Sequence, residues 1–117
     1  MKVIIAGSRE FNDYDKLCKF CDHILQNQKE IEIVSGTAKG ADKLGEKYAT
    51  EKGYSIKRFP ADWNIGKSAG YIRNEEMAKY ADALIVFWNG KSKGSKHMID
   101  LAKQNNLKIK IYNYEKK

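Results

Sequence analysis

The sequence predicts an α/β domain in which a parallel five-stranded sheet lies between two layers of helices. Three observations predict it. Short apolar runs alternate with stretches of 3/4 apolar spacing from one end of the chain to the other. The runs are nearly continuous in apolar residues, as strands covered on both faces are. The resulting order, βαβαβαβαβ, places a helix between each pair of strands, which is the connection a parallel pair requires. With right-handed crossovers this is a small doubly wound, Rossmann-like three-layer fold. Its 117 residues are one domain's worth of chain, with no internal repeat and no low-complexity segment.

Each element follows from its own residues. Residues 2–6 (KVIIA) are an apolar run ending at Gly7, a buried first strand. Residues 13–28 carry Leu17, Phe20, Cys21, Ile24 and Leu25 on one helical face, with Asn12 as the expected N-cap. Residues 31–35 (IEIVS) form the second strand. Ala41, Leu44, Tyr48 and Ala49 mark the next helix, stopped near Gly53. Residues 54–59 (YSIKRF) alternate in character and form a third strand, followed by a loop from Pro60 to Lys67. Residues 69–81 read as a helix with a less regular face. Residues 83–88 (ALIVFW) are the most apolar stretch and are expected as a central strand. Residues 95–105 form the last helix through Met98, Leu101 and Ala102, and 108–112 (KIKIY) an edge-like strand.

Composition excludes several classes. Hydrophobic residues make up 42% and charged residues 32%, the balance of a folded globular chain. No apolar run approaches the ~18–20 residues that span a bilayer. The opening MKVIIAG is too short for a secretory signal core, so a cytoplasmic location is expected. Two cysteines and two histidines provide neither a disulfide framework nor a zinc site, and no metal is expected. Cys18-x-x-Cys21 lies mid-helix on the core face, whereas a redox pair needs a helix N-terminus to lower its thiolate pKa. The formal charge of +7 favours anionic ligands. Residues 59–117 hold 11 basic and 6 acidic residues and residues 1–58 hold 11 and 9, so the excess lies mainly in the second half.

In a doubly wound sheet, ligands bind beyond the carboxyl ends of the strands. Here those ends carry the unusual residues. After strand one come Gly7, Ser8, Arg9 and Phe11; after strand two come Ser35, Gly36, Thr37, Lys39, Gly40 and Asp42. After strand three come Asp62, Trp63 and Lys67, and then Arg73 and Asn74 early in the third helix. After strand four come Asn89, Gly90, Lys91, Ser92, Gly94 and Ser95. The 35–42 segment combines two glycines, two hydroxyls and a lysine just before a helix, a pattern suited to phosphate. The 90–95 segment repeats that chemistry. Of three arginines, Arg9 and Arg73 lie near the crevice and suit forked phosphate recognition, while Arg58 reads as a solvated strand residue. Asp62 suits ribose hydroxyls, and Trp63 and Trp88 suit stacking on a base or ribose. Neither a Walker A motif nor a G-x-G-x-x-G fingerprint is present. His23 reads as a surface residue and His97 as a lone histidine beside the last loop.

The stretches GSREF at 7–11, VSGTAKGADKLGEKYA at 34–49, PADWNIGKSAGYIRNEEM at 60–77 and ADALIVFWNGKSKGSKHMI at 81–99 carry a resemblance. Together they resemble the SLOG superfamily, in particular its small bacterial and phage branch typified by YspA. That family is similar in fold to the LOG phosphoribohydrolases and to the Rossmann-like part of the DNA-processing protein DprA. The resemblance implies binding of nucleotides or nucleotide-derived ligands, ADP-ribose-like molecules foremost, and a homo-oligomer. The LOG enzymes carry a PGGxGTxxE motif with a catalytic Glu. Here Gly94-Ser95 stand at its Gly-Thr and Met98 at its Glu, and Met is neither an acid nor a nucleophile.

Three readings follow. In the first, the chain binds a nucleotide ligand, sensing or sequestering it as a phage sponge for an immune second messenger would. In the second, it is a LOG-like N-glycoside hydrolase with Asp62, Asp42 or Glu75 replacing the missing Glu. In the third, it binds single-stranded DNA as DprA does, the segment 35–40 resembling that protein's Ser-Gly-x-Ala-x-Gly motif. No cofactor is expected beyond the nucleotide itself.

Overall fold

In the computed structural model, described for residues 1–66 and 68–114, five strands and four α-helices alternate. The elements are β1 (Lys2–Gly7), α1 (Tyr14–Leu25), β2 (Glu32–Ser35), α2 (Ala41–Lys52), β3 (Ser55–Arg58), α3 (Ala69–Tyr80), β4 (Ala83–Trp88), α4 (Lys93–Gln104) and β5 (Lys108–Asn113). A short 3-10 turn, Trp63–Ile65, interrupts the loop before α3.

All strands pair in parallel in the order β3-β2-β1-β4-β5. The alternation of side chains along each strand divides the core in two. Val3, Ile5, Ile33, Ile85 and Phe87 pack against Leu17, Cys21 and Leu25 of α1 and Tyr48 and Ala49 of α2. Ile4, Ala6, Val34, Leu84 and Val86 face the other way, against Met77 and Ala78 of α3 and Met98, Ile99 and Ala102 of α4. Each fully buried Ile or Leu contributes roughly 1.5–3 kcal/mol, so both helical layers are required. This is the Rossmann-like, three-layer architecture expected from the alternation of periods. Cys21 is fully buried in the first cluster, and burial pushes its thiol pKa well up, as a packing residue's should be.

Local signals differ in places from their expected positions. The cap of α1 is Asp13, whose side chain accepts the Lys16 N–H at 3.1 Å, not Asn12. Helix α4 begins at Lys93, because Ser92 takes the N-cap and accepts the Ser95 N–H. Strand β4 is interior but β1 is the middle strand, and β3 and β5 are the edges. Arg58 is half-exposed on β3 but is not simply solvated: its Nε lies 3.0 Å from Glu46 Oε1.

The chain leaves β1 toward β2 and β3, then crosses back to β4 on the other side. The loops after β1 and β4 therefore diverge at the topological switch point, where a crevice must open. Among the described residues no helix is long and apolar enough to cross a membrane.

Candidate functional site

Two cavities open at the carboxyl end of the sheet and share Arg9, Arg73, Asn74 and Gly94. The first, about 560 Å³, is completed by Trp63, Gly66, Gly70 and Tyr71. The second, about 410 Å³, lies between the loops after β1, β2 and β4 and takes in Glu10, Asp42, Asn89, Lys91, Ser92 and Ser95 over an apolar floor of Ala6, Met77 and Met98. One half of the cleft thus carries the aromatic side chains and the other the polar loop residues, with two arginines between them.

Backbone packing builds the floor. A Cβ on Gly7 would stand 2.2 Å from the Phe87 carbonyl, so glycine is what lets β1 end against β4. The Ser8 N–H donates to that carbonyl at 2.9 Å, and Ser8 Oγ accepts the Asn89 N–H at 3.1 Å. Ser8 is fully buried, and it stitches the two diverging loops together. Gly40, at φ 78°, enters α2 beneath the same loop; a Cβ there would lie 2.4 Å from the Ser8 and Arg9 carbonyls. Thr37 holds φ 65°, a conformation that costs a β-branched residue energy and concentrates at functional loops.

Side chains from α3 bind the walls together. Arg73 donates through Nη1 to the Gly36 carbonyl and through Nε to Asn74 Oδ1, the latter at 3.0 Å. Asn74, buried, donates to the Gly94 carbonyl at 3.4 Å and lies 3.3 Å from His97 Nδ1. The ring of His97 in turn meets Tyr71 edge-on at 4.5 Å. In the β4 loop, Asn89 Oδ1 accepts the N–H groups of Lys91 and Ser92, both at 2.8 Å, and its amide donates to Glu10. Glu10 also accepts from Tyr114 at 2.9 Å, which ties the end of β5 to the rim. Its own backbone N–H, then Tyr114 and Asn89, hold its carboxyl below the usual range.

Charge in the cleft is opposed. Burial raises the Asp42 carboxyl to about 6, with the Ala38 N–H and the Arg73 charge pulling the other way. Burial lowers the Arg73 pKa, with Asp42 offsetting it. At pH 7 the arginine is charged and most Asp42 is ionised.

The structure brings together most of the residues expected at the site and separates others. Gly7, Arg9, Asp42, Trp63, Arg73, Asn74, Asn89, Lys91, Ser92, Gly94 and Ser95 line one or both cavities. Ser8, Gly36, Gly40 and Gly90 shape the backbone around them. Phe11 belongs to the core, stacked on Phe87 at 4.8 Å between centroids. The Ser35 hydroxyl is already used: it donates to Glu46 at 2.6 Å and accepts the Thr37 N–H at 3.0 Å. Burial pushes Glu46 up, but Ser35 and Arg58 outweigh it and hold the carboxyl below its usual value. Lys39 is exposed beside the loop and lines neither cavity. Asp62 caps the 3-10 turn, accepting the Asn64 N–H at 3.1 Å, and lines neither cavity. Trp88 packs into the second core cluster and donates to the Ser92 carbonyl at 3.0 Å. Lys67 lies outside the described residues.

Glu10, Tyr71 and Gly70 were not singled out by their sequence. Glu10 stands next to Arg9 in GSREF, and Tyr71 and Gly70 precede Arg73 on α3, so proximity to the arginines was the available signal. Met98 is buried and meets the floor of the second cavity. Among the described residues no group of three or more His, Cys, Asp or Glu is placed to hold a metal.

Comparison with known proteins agrees with this architecture. The family model described as YAcAr: YspA, cpYpsA-related SLOG family matches residues 1–66, more than half of the 117. The match carries the loops after β1, β2 and β3, three of the walls just described. No curated protein and no solved structure matches the chain. From β1 through the turn at Trp63, the chain belongs to the YspA, cpYpsA-related SLOG family.

Proposed function

We propose that this chain binds a nucleotide or nucleotide-derived signalling ligand, such as an ADP-ribose derivative or a cyclic nucleotide, and senses or sequesters it. The observation that carries this reading is the divided cleft: an aromatic half at Trp63 and Tyr71 joined to a polar half at helix N-termini, with Arg9 and Arg73 at the junction. A base is apolar, stacks and has hydrogen-bonding edges; a phosphate is an anion that accepts N–H groups. The cleft offers each half of such a molecule its own surroundings, and Lys91 adds charge at the polar end. Met98 at the catalytic position of the LOG motif favours holding the ligand over cleaving it. A role as a sponge for a second messenger, in a phage or a bacterium, follows from holding alone.

Asp42 favours one second reading. It is a buried carboxylate on the cavity wall, in a state to exchange a proton near neutral pH, as a LOG-like N-glycoside hydrolase would need. The exposed Trp63, Ile65, Tyr71 and Ile72 lie on the 3-10 turn and on α3 beside the aromatic cavity. They support a homo-oligomer in which a second copy covers the rim.

The test is a thermal-shift panel of nucleotides, cyclic nucleotides and ADP-ribose, followed by chromatography of each incubated ligand. Binding at 100 times Kd stabilises by about 2.7 kcal/mol. A shift with the ligand intact supports binding. Release of free base, lost in Asp42→Asn, supports the hydrolase. No shift with any member removes the nucleotide reading, and an oligonucleotide binding with a steep salt dependence would point to DNA instead.

A further inference from the structure

The polar cavity contains a carboxylate where a pure anion site has least use for one. Asp42 is the second residue of α2 and is 5% exposed, yet it lines the cavity with Arg9, Arg73 and Ser95. Its Oδ2 accepts the Ala38 N–H at 3.2 Å. Among the described residues its other oxygen has no hydrogen-bond partner, and it is not sealed in, since no fully buried side-chain oxygen among them lacks a hydrogen bond. It therefore opens onto the cavity. Among the described residues Arg73 makes no ion pair or hydrogen bond with it: Nη1 and Nε go to the Gly36 carbonyl and to Asn74, and the guanidinium acts on Asp42 only through its charge.

A ligand that enters displaces water from that oxygen. The oxygen then needs a donor, or its desolvation counts against binding. A phosphate supplies none at neutral pH; a sugar hydroxyl or a base amino group does, and Asp42 lines the cavity that lacks Trp63 and Tyr71, away from where a base would stack, which leaves the sugar. The two helix starts differ in the same sense. The first turn of α2 contains Asp42, whereas the first turn of α4 contains no acidic residue and begins at the Ser92 cap beside Lys91 and Ser95.

We propose that Asp42 reads the sugar of the ligand: its free oxygen accepts a ribose hydroxyl at the start of α2, and the phosphates lie at the start of α4. This rests on the nucleotide reading and narrows it, since both helix starts no longer serve phosphate. The site then selects ribonucleotides over their deoxy forms. The carboxylate does so through one tied and one free oxygen, without moving a bond or a proton.

The experiment is calorimetric titration at pH 8 with AMP, GMP, CMP, UMP and ADP-ribose. Each binder is then compared with its 2′-deoxy and 3′-deoxy form, in the wild type and in Asp42→Asn. Loss of the recognised hydroxyl is expected to weaken wild-type binding about 10- to 100-fold, the value of a hydrogen bond to a charged acceptor. In Asp42→Asn the same deletion is expected to cost less than about threefold. If nucleotides bind but ribo and deoxy forms bind alike, the sugar assignment falls and the nucleotide reading stands. If the asparagine variant retains full discrimination, or binds ribo and deoxy forms equally more tightly, the assignment also falls, the second outcome placing the carboxylate against phosphate. If none of the five binds, the nucleotide reading itself falls. Should the variant fail to fold, the wild-type ribo-to-deoxy ratio decides alone: discrimination sustains the assignment and equality overturns it.

Discussion

Replacing Gly40 with alanine tests how rigidly the loop after β1 is seated on the start of α2. Two costs add. Gly40 holds φ 78° and ψ −127°, a mirror-image extended conformation open in practice to glycine, and an L side chain there costs roughly 1–3 kcal/mol. Its new Cβ would also stand 2.4 Å from two backbone carbonyls, those of Ser8 and Arg9. Backbone cannot rotate away as a side-chain tip can, so the loop must shift, at roughly 1–3 kcal/mol. Gly53 supplies the control. It holds φ 75° and ψ 22°, the ordinary left-handed conformation, at the end of α2, and a Cβ there meets nothing within 4 Å, so Gly53→Ala incurs that smaller conformational cost and no clash. The expected losses are therefore about 2–6 kcal/mol for Gly40→Ala and about 1–2 for Gly53→Ala. At about 4 °C per kcal/mol, the first melts roughly 8–24 °C below wild type. Urea denaturation followed by circular dichroism measures both, with a common m-value as the check on two-state behaviour. If Gly40→Ala costs no more than Gly53→Ala, the loop carrying Arg9 is not packed on α2 and the floor of the cleft is misdescribed.

Further outcomes follow from the same geometry. Asp42 holds its proton up to about pH 6 in the fold, while the unfolded chain releases it near 4, so stability falls as pH rises through that window, by up to roughly 3 kcal/mol. Asp42→Asn removes that portion of the slope, read as the difference between wild-type and variant urea midpoints at pH 4, 5, 6 and 7. Gly94→Ala places a helix-favouring residue in α4 where a Cβ meets nothing within 4 Å, so stability rises by up to about 1 kcal/mol. Gly94 lines both cavities, so the added methyl should lower ligand affinity in calorimetry. Trp63→Ala removes a stacking face and should weaken a stacking ligand by about 1–3 kcal/mol in calorimetry.

Much of the architecture was legible because it depends on period and order. Runs such as Val3-Ile4-Ile5 and Leu84-Ile85-Val86 can only be buried strands, and their alternation with helices leaves few topologies. The placement of the cleft followed from the strand ends. The role of each polar residue did not, because it depends on what the fold brings opposite. Ser35 resembles a phosphate ligand until Glu46, eleven residues on, turns one helical face toward it. Phe11 stands in a glycine-rich motif, yet Phe87 lies across the sheet to receive it. Asp62 is consumed by the turn it begins, and a 3-10 turn of three residues has no period to read. Tyr71 was hidden by a helix with an irregular face, where a rim residue and a surface residue look alike.

The most direct measurement of the central claim is a nucleotide titration of the 15N-labelled protein followed by amide chemical shifts. The cleft account predicts saturable shifts at Arg9, Tyr71, Arg73 and Gly94 and at the Trp63 indole N–H, with the opposite end of the sheet around Glu30 and Asp82 unmoved. Shifts centred on that opposite end, or none at millimolar nucleotide, would contradict it.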